Sequence, residues 1–150
     1  MKMLKSLTAV ACIAATPVMA DWTFQQGNGR AIVQYDAGRY GVMLTCNRGS
    51  GLELSLLDSE LRGNEYKGVR SLMVWVTWPD GRTDRWPITP VWQEGGALSG
   101  DLIVSDVNLE FFRNGVSFEV DSPQIRKTFA TGNMRGSGAA RLAIKEQCGI

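Results

Sequence analysis

Three cysteines punctuate the 150-residue chain, and the position of the first decides what the other two can do. Cys12 lies in MKMLKSLTAVACIAATPVMA, where Lys2 and Lys5 precede an apolar stretch from about Leu7 to Ala15. Helix-breaking Pro17 and the small-residue pattern Val18-Met19-Ala20 come next. This is the pattern of a secretory signal peptide cleaved after Ala20, which leaves residues 21–150 as a single exported domain. A minor alternative reads Ala9-Val10-Ala11-Cys12 as a lipoprotein box, although the leucine usual three residues before the cysteine is missing. An exported chain meets oxidising conditions, in which two remaining cysteines pair by default. Cys46 and Cys148 are therefore expected to form a disulfide, closing a loop of about 100 residues worth roughly 4–5 kcal/mol in the chain-entropy model. Without C-x-x-C spacing the bridge reads as a staple with no redox chemistry. Any fold must then bring an early segment against the last one.

The chain has no histidine, which removes the Ser/His/Asp triad, the Cys/His dyad and His-liganded zinc or haem together. No cofactor is implied. Lys and Arg number 16 against 15 Asp and Glu, and losing Lys2 and Lys5 turns the net charge from +1 to −1. Nothing in that balance attracts nucleic acid. No apolar run in the mature chain reaches the ~18 residues of a membrane span.

Period-two alternation dominates the chain after the leader. RAIVQY (30–35) and YGVMLTC (40–46) are β-rich runs around the turn Asp36-Ala37-Gly38-Arg39, and so form a hairpin. Val42, Leu44 and Cys46 share one face. Leu52, Leu54 and Leu56 alternate with Glu53 and Ser55 as a third strand. Residues 58–70 read as a polar surface loop. LMVWVTW (72–78) is apolar on both faces and reads as a central strand. It reverses at Pro79-Asp80-Gly81-Arg82 into a strand over 83–89, where Pro87 favours an edge or a bulge. A two-residue Asp80-Gly81 turn would set Trp75 opposite Trp86.

Further on, residues 95–100 read as a loop leading to a short strand at 102–104. Ser105 or Asp106 caps a brief helix through Arg113, packed by Val107, Phe111 and Phe112 and ended at Asn114-Gly115. Val116, Phe118 and Val120 mark a half-buried strand, with another over 125–131. In the last helix Ala140, Ile144 and Cys148 form one stripe at i, i+4 and i+8, the Ser137 hydroxyl is available as N-cap, and Arg141, Lys145 and Glu146 face away. The fold class is mainly β: a small sandwich or twisted antiparallel sheet with one or two short helices, the C-terminal one disulfide-linked to an early strand.

The ending Phe129-x(6)-Gly136-Ser137-x-Ala139-Ala140-x(7)-Cys148 resembles the close of several families of small exported proteobacterial proteins. They are the periplasmic accessory proteins of type VI secretion clusters and, more distantly, the invasion-associated locus B family. In these a strand with Phe leads through a Gly-Ser turn into an Ala-rich helix carrying the last cysteine. The resemblance covers about the last 45 residues, with Trp22 and Cys46 also suiting it, and transfers no catalytic residue. The periplasmic inhibitors of C-type lysozyme are similar in size, β-richness and cysteine economy. Their Ser-Gly-x-x-Tyr loop is answered here only by Ser137-Gly138-Ala139-Ala140, which lacks the tyrosine.

Three clusters are candidates for chemistry. Asp80, Arg82, Asp84 and Arg85 could in principle serve a carboxylate-based hydrolase, but a turn tip is wet and its arginines keep both acids ionised. Asp58, Glu60, Asn64 and Glu65 carry oxygens suited to calcium in no recognised loop spacing. Trp75, Trp78, Trp86 and Trp92 are core residues unless some stay exposed. Trp78, Arg82, Arg85, Trp86 and Trp92 are the candidate binding patch, because Trp and Arg dominate binding hot spots. The expected role is non-catalytic, as a periplasmic binding or accessory protein contacting another envelope protein. No residue pattern sets the oligomeric state.

Overall fold

A computed structural model describes residues 21–150. The leader and the Cys12 alternative lie outside the described residues. Among the described residues the fold is mainly β, with two antiparallel sheets and two α-helices. β1 (Thr23–Gly27), β2 (Arg30–Ala37), β3 (Tyr40–Asn47) and β4 (Leu52–Asp58) run as a meander and continue through β8 (Ala97–Leu102) to β7 (Val91–Glu94). The second sheet has the order β10 (Lys127–Asn133), β9 (Ser117–Ser122), β5 (Leu72–Thr77), β6 (Thr83–Ile88). Helix α1 (Asp106–Asn114) precedes β9, and α2 (Ser137–Cys148) ends the fold.

Alternation explains the core. Val33, Leu44 and Leu54 fall in register across β2, β3 and β4, as do Val42, Leu56 and Leu98 across β3, β4 and β8, and all are buried. Facing them, Val74, Val76, Trp86, Phe118 and Val120 line the second sheet and join the same cluster. Each such aliphatic side chain contributes about 1.5–3 kcal/mol by leaving water. β5 is central between β6 and β9, and β6, which contains Pro87, is an edge where a missing donor costs no ladder bond.

α2 presents Ala140, Ile144 and Cys148 to the core, and Cys148 is bonded to Cys46 of β3 with Cα atoms 5.8 Å apart. The staple between the last helix and an early strand is therefore present.

Several details differ from the sequence expectations. The β5–β6 loop holds three residues: Trp78 N–H donates to Arg82 C=O (2.8 Å), and Gly81 takes φ +84°, the left-handed geometry that closes such a turn. One extra residue shifts the register, so Trp75 faces Arg85 while Trp86 lies opposite Val74. The two indoles therefore occupy opposite faces of the sheet. Residues 95–100 are not a loop: Gly95-Gly96 is a tight turn between β7 and β8, and a strand with two glycines at and beside it hides its alternation.

In α1 the buried residues are Leu109 and Phe112, whereas Val107 is 63% exposed. The N-cap of α2 is Gly136 (φ +83°), and Ser137 is buried in the first turn, donating to Arg113 C=O. Arg141 and Lys145 do not face solvent alone: they pair with Glu110 and Asp106 of α1. Asp58 is a buried strand end rather than part of a polar loop.

Candidate functional site

The candidate surface is built where the β5–β6 hairpin outruns the sandwich. Trp78 continues the inward parity of Val74 and Val76 past the end of β5, and there α1 takes over as its cover. Ser105 caps α1, its Oγ accepting from Asn108 N–H (3.3 Å) while Asn108 Oδ1 accepts from Ser105 N–H (2.8 Å). The amide end of Asn108 then donates to Asp84 Oδ2 (2.6 Å), which also accepts from Trp86 Nε1 (2.6 Å). Asp84 thereby ties β6 to the helix, and Phe111 is carried about one turn beyond Asn108.

Phe111 stacks on Trp78 with ring centroids 4.5 Å apart and planes 28° apart, and Trp78 Nε1 donates to Phe111 C=O (3.3 Å). The Arg82 guanidinium lies 4.3 Å from the Trp78 ring centre and 5.9 Å from that of Phe111. Those three distances close a triangle, so Arg82 sits beside the stacked pair and not across it. Asp80 holds Arg82 at 2.7 Å. A shallow groove of about 310 Å3 adjoins the stack, lined by Trp78, Arg82, Asp106, Val107, Glu110 and Phe111. A second hollow of about 540 Å3, which shares Trp78 and Arg82 with the groove, reaches Pro79 and Asn114.

Electrostatically the groove is balanced. Lys145 donates to Asp106 (2.9 Å) and holds its carboxyl below the usual range. Glu110 pairs with Arg141. The Asp80 carboxyl is lowered by the Arg82 backbone N–H and then by its side chain. The surface is apolar and aromatic, with the Arg82 guanidinium 4.3 Å from the Trp78 ring centre.

Of the expected patch residues, the fold unites Trp78 and Arg82. Trp86 is 2% exposed in the core, Arg85 stands on the outer face of the second sheet beside Trp75, and Trp92 lies on β7 at the far edge of the first sheet. Val107 is exposed, although the sequence expectation packs it inward with Phe111 and Phe112, whereas Phe111 is partly buried against the core while its ring also lines the groove. The signal that distinguishes Val107 is its place two residues before Leu109, on the opposite side of the helix, so that burying Leu109 and Phe112 leaves it outside.

The acidic loop also resolves differently from a calcium site. Arg39 donates to both oxygens of Asp58 (3.2 and 3.1 Å) and to Glu65 (2.7 Å), and approaches Glu60 at 3.5 Å. The Arg39 hydrogen bonds hold the Asp58 carboxyl down at about 2. Among the described residues no group of three or more Cys, Asp or Glu is placed to hold a metal ion. No helix among them is long and apolar enough to cross a membrane. No family model matches the chain, and comparison with curated proteins and with solved structures finds no match.

Proposed function

We propose that this protein is an exported, non-catalytic binding or accessory module that contacts another envelope protein through Trp78, Arg82, Val107 and Phe111. The observation that carries the reading is the half-open Trp78–Phe111 stack. Trp22, Tyr35, Phe112 and Phe118 are buried against one another, while this half-buried pair stacks at the end of the sandwich beside an exposed valine and an arginine. Apolar anchors rimmed by neutralised charges suit a protein contact. The groove carboxylates, Asp106 and Glu110, are each held by a cation, which suits recognition better than proton transfer. The Cys46–Cys148 bridge fits an oxidising compartment, and the leader at 1–20 supports the periplasm. The accessory role rests on the resemblance at 129–148.

The test is a photo-crosslinking residue placed at Val107 and, as control, at Thr131, in cells exporting the full chain. A discrete adduct at 107 that is missing at 131 and lost in Trp78→Ala supports the reading. Equal adducts at both positions, or an adduct indifferent to Trp78→Ala, would overturn it.

A further inference from the structure

The six-stranded sheet has an outer face that no described element covers, since α2 lies on its inner side with Ala140 and Cys148, and α1 lies over β5 and β6. Register fixes what that face presents. One cross-strand row runs Asp36, Gly41, Leu57, Ala97, Glu94, and the next runs Gln34, Met43, Ser55, Ser99, Trp92. In a third, Glu53 of β4 stands directly opposite Asp101 of β8.

The floor is flat, because Ser55 and Ser99 are hydrogen-bonded to each other (2.7 Å) and buried by their larger neighbours. Above it Leu57 and Trp92 stay open, at 37% and 41% exposure, on either side of β8. Four carboxylates, at 36, 53, 94 and 101, share the face with a single cation, Arg30. Among the described residues none of the four is in an ion pair. Asp36 accepts only from Gly38 N–H (2.9 Å) and Glu53 only from the Ser55 hydroxyl (3.2 Å).

Like charges directly opposite on neighbouring strands destabilise a sheet. A polyanion is repelled here, and a cationic partner relieves the repulsion.

We propose that this face docks a basic polypeptide segment, its Lys or Arg side chains pairing with Glu53 and Asp101 and an apolar side chain lying between Trp92 and Leu57. The surface is separate from the Trp78 groove. The probe is a short synthetic peptide alternating lysine and leucine, titrated calorimetrically into the full exported chain at low salt, with the glutamate-leucine peptide as control. Binding of the lysine peptide alone is expected. The double variant Glu53→Gln/Asp101→Asn should weaken it about tenfold while raising the melting temperature by about 1–4 °C.

Trp92→Ala should also weaken it, and Trp78→Ala should leave it unchanged, so failure here is distinguishable from failure of the groove reading. Charge reversal to lysine at 53 and 101 should transfer binding to the glutamate peptide. Undiminished binding in the double variant, or equal binding of both peptides to the unaltered chain, would overturn the proposal.

Discussion

Asp84 and Asn108 are joined by a hydrogen bond of 2.6 Å that locks the start of α1 onto β6. The same carboxylate oxygen receives the Trp86 indole N–H, so one edge-strand acid orients a core ring and a surface helix together. Asp84→Ala strands two half-buried donors and should cost about 1–3 kcal/mol in denaturant unfolding. Because the tether sets where Phe111 falls, near-ultraviolet circular dichroism from Trp78 should weaken too. An unchanged spectrum would show that the helix finds its seat without Asp84.

The indoles should separate by energetics. Trp86→Ala empties a packed site and should cost about 3–5 kcal/mol, whereas Trp78→Ala, at a half-open position, should cost less than half as much. Iodide quenching should remove the signal of Trp92 while sparing Trp22 and Trp86, read in single-tryptophan variants. Equal stability losses at 78 and 86 would mean that the Trp78 stack is core.

Much of this architecture is readable in the residues and some is not, for reasons that are local. Alternation at 30–56, 72–77 and 117–120 is strong because nearly every inward position is a large apolar residue. β1 and β8 escape because TFQQG and ALSGDL carry too few apolar side chains to set a period. The Trp75–Trp86 pairing fails on one loop residue, since Pro79-Asp80-Gly81 closes as easily in three residues as in two and parity flips with the count. The candidate surface is half legible. Trp78 and Arg82 announce themselves, but only the cap at Ser105 and the tether at Asp84 decide which stripe of α1 faces outward.

Acid sensitivity should trace to Asp58. Its carboxyl titrates near 2 in the fold against an ordinary value of 3.8, so the native state favours the ionised form. The associated stability is complete above about pH 4 and is lost as pH falls through the folded value. Melting temperature should therefore decline between about pH 4 and 2 in the unaltered chain. Asp58→Asn should flatten that decline and lower the plateau, because the amide cannot hold Arg39 as an ion pair. A decline of equal size in both proteins would assign acid sensitivity elsewhere.

Gly136 should tolerate no side chain. Its φ of +83° is strained for an L residue, and a Cβ there would run into the Trp22 carbonyl oxygen. Gly136→Ala should destabilise by about 1–3 kcal/mol, more than an ordinary cap change, and guanidinium denaturation measures it. A neutral result would mean that the turn between β10 and α2 adjusts freely.

The Cys46–Cys148 bond carries the most weight, because it holds α2 against β3, and α1, with its Phe111 and Val107, is paired to α2 through Asp106 and Glu110. Intact-mass and peptide mapping of the protein isolated from cells that express the full chain, alkylated without reduction, is the direct measurement. The expected result is a chain beginning at Asp21 that takes up no alkylating agent and yields one crosslinked peptide pair containing both cysteines. Three alkylated thiols, Cys12 among them, on a chain that retains Met1 would contradict export and the staple together.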